Sequence, residues 1–130
     1  MKILGIGVDI INNRRIHKSI KSKNFLSRIF TIDEIKNSKF VKDKTIYFSK
    51  RFAAKESLSK AIGIGFRKSL NFKDIEILNN NLGKPYYRLN RKINKIISKN
   101  LKTKNFDLFL SISDEKDYSI AFTIIQKKNA

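Results

Sequence analysis

The sequence contains no cysteine, no tryptophan, one proline and one histidine. Without cysteine there is no disulfide, no thiolate nucleophile and no thiolate metal site. A single histidine, His17, excludes the usual zinc sites, which need several His or Cys ligands. It lies on a basic stretch far from any Ser–Asp pairing, so a Ser–His–Asp arrangement is excluded too. No apolar run approaches the roughly 18–20 residues of a membrane span. The first apolar stretch already meets an acid at Asp9 and lacks the length and cleavage pattern of a signal peptide. A soluble cytoplasmic protein is the expectation. Carboxylates are scarce as well: 11 Asp+Glu stand against 29 Lys+Arg, a formal charge of +18.

What is present is a foldable chain. Its 130 residues are 41% hydrophobic and 11% aromatic, enough for one domain over residues 1–130 with its own core. The charge invites a reading as a small basic nucleic-acid-binding module. However, 22 of the 29 basic residues are Lys, scattered over the whole length. Lys, Ile and Asn share AT-rich codons, so part of the excess reflects composition.

Periodicity and punctuation predict an α+β order. Residues 2–9 read as a buried strand and 12–22 as a basic helix with Asn12 or Asn13 as cap. Phe25, Leu26, Ile29 and Phe30 repeat a helical spacing. Thr31 and Glu34 form a capping box that opens a short helix to about Lys39. The longest helix is expected from about Asp43 to Ile62, apolar along Phe48, Phe52, Leu58 and Ile62, with Gly63 as its stop. Residues 72–78 and 85–89 read as a hairpin around 79–83. A basic amphipathic helix over 91–102 follows. Strands at 106–113 and 118–126 flank an acidic turn at 114–117.

Among so few acids, some stand where chemistry is possible. Asp9 ends an apolar strand beside Gly5 and Gly7; it is either a cleft carboxylate or a cap for the next helix. Glu56 lies one turn from Lys60, either as an exposed ion pair worth a few tenths of a kcal/mol or as a ligand for a hard cation. Gly63 and Gly65 form a helix stop or a phosphate-facing loop. Gly83-Lys84-Pro85 is a hairpin turn whose Lys can meet a phosphate. Asp114 opens three acids in four residues, a solvated turn or the wall of a site.

Taken together and in order, these segments resemble a known family. They are Gly5-Ile-Gly-Val-Asp9-Ile10, Arg28-Ile-Phe-Thr31 with Glu34, and Arg51-Phe-Ala-Ala-Lys55-Glu56 followed by Ser59-Lys60-Ala61. Gly63–Phe66, Phe72-Lys-Asp-Ile-Glu-Ile77, Gly83-Lys-Pro85 and Ser111-Ile-Ser113 with Tyr118 continue the series to about residue 125. The pattern is similar to the bacterial holo-[acyl-carrier-protein] synthases, small phosphopantetheinyl transferases. The resemblance implies a phosphopantetheinyl transferase fold, an antiparallel sheet with a long helix, assembled as a homotrimer with active sites between subunits. It implies transfer of 4′-phosphopantetheine from coenzyme A to a serine of apo acyl carrier protein. Asp9 and Glu56 would ligate Mg²⁺, with Lys60 on the pyrophosphate and the Gly63–Gly65 loop beside the nucleotide. Arg51 and Gly83-Lys84-Pro85 would line the adenosine 3′-phosphate and base. Arg15 and Arg28 match family arginines and would face the acidic carrier protein. Many relatives carry His where this chain has Asp114, which would then act through water, metal or a neighbouring Lys or Arg.

Overall fold

The computed structural model describes residues 2–66 and 70–128. Strand β1 spans Lys2–Asn12 and so continues three residues past the expected end. The continuation has a clear cause. Residues of one parity, Gly7 and Ile11, face the interior, while Ile6, Val8 and Ile10 face outward. Asp9 shares the inward parity, so the strand does not stop at the acid.

Asn12 then caps α1 (Asn13–Ser19) by accepting a hydrogen bond from the Arg14 amide at 2.9 Å. Asp9 as a helix cap is thereby overturned. Helix α1 also ends earlier than expected. Ser22 caps α2 (Lys23–Ile29), and Thr31 with Glu34 forms the expected capping box on α3 (Ile32–Asn37). A 3-10 turn at Ser38–Phe40 leads to α4 (Lys44–Ile62), which Asp43 caps and Gly63 stops at φ 92°.

Beyond α4 the expected strand from residue 72 opens instead as a 3-10 turn, Phe72–Asp74, because Phe72 stacks between Phe52 and Phe66. Strand β2 (Glu76–Asn79) pairs with β3 (Pro85–Arg88) as a separate antiparallel hairpin. Helix α5 (Arg91–Leu101) buries Ile93, Ile96 and Ile97 along one face, as an amphipathic helix does. Strands β4 (Phe106–Asp114) and β5 (Tyr118–Lys127) follow, with Asp114 as the last strand residue rather than part of the turn. The main sheet is antiparallel in the order β1-β5-β4.

Helix α4 lies on the inner face of this sheet at very short range. A Cβ on Gly7 would stand 1.8 Å from the Ser57 carbonyl oxygen, and one on Gly5 2.0 Å from that of Ala61. Only glycine permits that approach. The helix is consequently buried nearly all round, not along one apolar stripe as its sequence suggests. Where it meets the sheet its polar groups are paired: Ser57 Oγ meets Thr123 Oγ1 at 2.6 Å, and the Ala54 carbonyl accepts from Tyr87 Oη at 2.7 Å. The outer face of the sheet is different. Register aligns Ile6, Val8 and Ile10 with Ile124, Phe122 and Ile120, and Phe109 adjoins them. Ile6 and Ile10 are 58% and 60% exposed.

Candidate active site

Three side chains converge on the β1 flank of α4. The inward parity of β1 aims Asp9 at the helix, and the missing Cβ of Gly7 lets the helix come close. Lys60, one turn after Glu56, donates to Asp9 Oδ1 at 2.9 Å and to the Val8 carbonyl at 3.1 Å. Of the two readings of Glu56, the exposed pair with Lys60 is not formed; Lys60 pairs with Asp9 instead. Asp9 Oδ2 is buried and has no hydrogen-bond partner among the described residues. Glu56 is partly buried, and its carboxyl is pushed above the usual range, first by burial and then by the Asp9 carboxylate. Lys60 and Arg15 oppose that shift, so the arginine of α1 reaches the same field.

An orphaned buried carboxylate oxygen beside a second carboxylate is a place for a cation. No cluster of three or more His, Cys, Asp or Glu exists among the described residues. A cation here would complete its shell with substrate oxygens and water, as Mg²⁺ does with one or two carboxylates and a polyphosphate.

The other flank of α4 carries a second constellation. Arg51 is 4% exposed; its guanidinium lies 3.6 Å from the ring centre of Tyr47. Its Nη2 donates to Asn79 Oδ1 at 2.5 Å, while its Nε is buried without a partner among the described residues. Asn79 Nδ2 donates in turn to the Gly83 carbonyl at 2.9 Å. These groups border a cavity of 460 Å³ together with Val41, Lys50 and Asp114. Asp114 pairs with Lys50 at 3.6 Å. Lys84 is exposed and Pro85 half-buried at the start of β3.

Of the two readings of the Gly63–Gly65 loop, the structure shows the helix stop. The amides of Gly63 and Gly65 both donate to the Ser59 carbonyl, at 3.0 and 3.3 Å. Those two N–H groups close the helix and are not free for a phosphate. The Gly83 amide likewise serves the turn, donating to the Asn80 carbonyl at 2.9 Å.

The two constellations do not meet in one chain. Asp9 is on one edge strand and Asp114 on the other, with β5 between them. Glu56 and Arg51 are five residues apart on α4, about 140° around the helix. Arg15 and Arg28 are exposed, and neither forms an ion pair with a described residue. His17 is exposed and bonds Thr45 at 2.9 Å, as a surface residue should.

Three residues of this region went unread in the sequence: Tyr47, Asn79 and Lys50. Tyr47 and Arg51 are four apart on a helix, a spacing that signals contact. Asn79 was masked by its run of asparagines, which reads as a turn.

Residues 5–123 match the model of the 4′-phosphopantetheinyl transferase superfamily. The chain belongs to this superfamily. Within it, the chain is 58% identical over 128 residues to the holo-[acyl-carrier-protein] synthase of Pelagibacter ubique, covering 98% of this chain and all of that one. Among solved structures, holo-[acyl-carrier-protein] synthase from Neisseria meningitidis matches with TM-score 0.87 at 34% identity, over 97% of this chain and 100% of that one. The Helicobacter pylori synthase in complex with coenzyme A matches with TM-score 0.78 at 31% identity, over 93% and 99%. The phosphopantetheinyl transferase fold read from the motifs is thus present. None of these relatives is a nucleic-acid-binding module, and no helix of the described residues is long and apolar enough to cross a membrane.

Proposed function

We propose that this chain transfers 4′-phosphopantetheine from coenzyme A to a serine of apo acyl carrier protein. The serine Oγ forms a bond to the β-phosphorus, the bond to the departing adenosine 3′,5′-bisphosphate breaks, and the serine proton is released. One observation supports the reading most: the unpartnered Asp9 Oδ2 beside Glu56 and Lys60, in a phosphopantetheinyl transferase scaffold. Asp9 and Glu56 would hold Mg²⁺, which when bound supplies charge neutralisation at the pyrophosphate. Lys60 adds a positive charge to that clamp. Arg51, with Lys84 and Pro85 nearby on the hairpin, grips the 3′-phosphate and base; Gly63 and Gly65 border the nucleotide through loop shape, since their amides are engaged. Asp114 tempers the Lys50 charge there. No protein nucleophile is required, which suits a chain without cysteine. The reaction belongs to fatty acid synthesis in the cytoplasm.

The two flanks become one site if the β1 flank of one subunit faces the Arg51 flank of the next. A homotrimer accomplishes that and covers the apolar outer face of Ile6, Val8, Ile10 and Phe122. Arg15 and Arg28, exposed beside the metal flank and on α2, present positive charge to the acidic carrier protein and speed encounter. The decisive assay incubates apo acyl carrier protein with coenzyme A, Mg²⁺ and this protein and measures the carrier's mass. A gain of one phosphopantetheine group is expected. An unchanged mass with folded protein and saturating coenzyme A refutes the activity. Ile10→Lys with Phe122→Glu should yield smaller particles by light scattering with lost activity; full-size, active particles would refute the shared-site assembly.

A further inference from the structure

The Arg51 guanidinium is held on two sides by residues that no sequence motif marked. Below it lies the Tyr47 ring, itself fixed because its Oη donates to the Glu34 carbonyl at 2.5 Å. At its edge stands the Asn79 carboxamide, the last residue of β2. The same carboxamide turns its Nδ2 to the Gly83 carbonyl. One side chain therefore ties the arginine of α4 to the β2–β3 turn that carries Lys84. Asn80 Oδ1 completes the turn by accepting from the Leu82 and Lys84 amides, both at 2.9 Å. Elsewhere Arg51 is underused: its Nε is buried without a partner in a residue that borders the 460 Å³ cavity.

A neutral amide is well suited to this position. An acceptor oxygen orients the guanidinium without neutralising it, so the full positive charge stays available to an anion. An Asp here would form a bidentate pair and cancel that charge. We infer that Asn79 is a positioning residue that aims Arg51 and fixes the Gly83–Lys84 turn, and so sets the preference for a donor that bears a 3′-phosphate. The inference rests on the reading above that Arg51 meets that phosphate.

The test compares coenzyme A with 3′-dephospho-coenzyme A as donors for wild type, Asn79→Ala, Asn79→Asp and Arg51→Ala. Asn79→Ala is expected to raise the KM for coenzyme A about 10-fold, with kcat within two-fold and the KM for the dephospho donor unchanged. Asn79→Asp should fold normally and lose the preference at least as fully, because its carboxylate neutralises Arg51. If Asn79→Ala weakens both donors equally, or neither, the inference is overturned. Arg51→Ala separates the two layers. If it erases the preference while Asn79→Ala and Asn79→Asp keep it, only the Asn79 role fails. If Arg51→Ala itself keeps the preference, the reading of Arg51 fails first.

Discussion

Helix α4 carries two lysine–carboxylate pairs of nearly equal length that differ in how completely they are satisfied. Lys55 meets Glu34 at 2.8 Å and Lys60 meets Asp9 at 2.9 Å. The first pair is sealed, both side chains 0% exposed. Every polar atom in it is answered: Glu34 accepts from Lys55 and from the Thr31 and Ile77 amides, and Lys55 also donates to the Phe72 and Ile75 carbonyls. It staples α3, α4, the 3-10 turn and β2 together. The second pair is half open, with Lys60 52% and Asp9 13% exposed, and it leaves Asp9 Oδ2 unanswered beside Glu56. Distance does not distinguish the two pairs. Completeness of hydrogen bonding does, and a buried carboxylate oxygen left unpaired costs stability unless something else binds it.

The largest expected effect breaks the sealed pair. Lys55→Met strands a buried carboxylate and should cost about 3–5 kcal/mol in urea unfolding. Glu34→Gln together with Lys55→Met should recover much of that. Lys60→Met, which removes a partner that is half in water, should cost at most about 1 kcal/mol. Equal losses for Lys55→Met and Lys60→Met would dissolve the contrast.

Activity should rank the pairs the other way. Asp9→Asn and Glu56→Gln should each lower kcat by about 100-fold or more while the unfolding midpoint stays near wild type. A variant that unfolds in proportion to its lost activity would make Asp9 a scaffold residue. A smaller effect concerns the close approach that aims Asp9. Gly7→Ala sets a Cβ against the Ser57 carbonyl and should cost about 1–3 kcal/mol as β1 and α4 part. Unchanged stability would show that the helix has room to move.

The smallest effect is on pH. Burial and Asp9 raise the proton affinity of Glu56 in the folded chain. Its contribution to stability is then full below the ordinary glutamate value and is lost as pH rises through the raised one. Glu56→Gln has no proton to lose. Without Mg²⁺ it should melt slightly above wild type at pH 7, and the gain should vanish below about pH 4. A gain that persists in acid would mean that the carboxylate charge is not its source.

Much of this was legible in the sequence, and the gaps have physical reasons. The Thr31–Glu34 capping box could be read because both partners sit three residues apart. That Glu34 also holds Lys55 and the Ile77 amide could not, since those bonds span 21 and 43 residues. Asp9 and Glu56 were legible as rare acids among lysines. Spacing alone offered Lys60 only Glu56 on its own helix as a partner, whereas the glycine-permitted contact with β1 draws it to Asp9. The Gly63–Gly65 loop could be a helix stop or a phosphate loop from sequence; a helix end must satisfy its last carbonyls, and the Ser59 carbonyl accepts from both amides. Phe72 alternates like a strand residue, yet its place in an aromatic stack bends the chain into a turn.

The claim that Asp9 and Glu56 form an incomplete site for Mg²⁺ and a polyphosphate is tested most directly by calorimetric titration of coenzyme A with and without Mg²⁺. Wild type should bind coenzyme A at least about 10-fold more tightly with Mg²⁺, and Asp9→Asn should lose that difference while remaining folded. Binding to Asp9→Asn that still tightens with Mg²⁺ as in wild type would contradict the account.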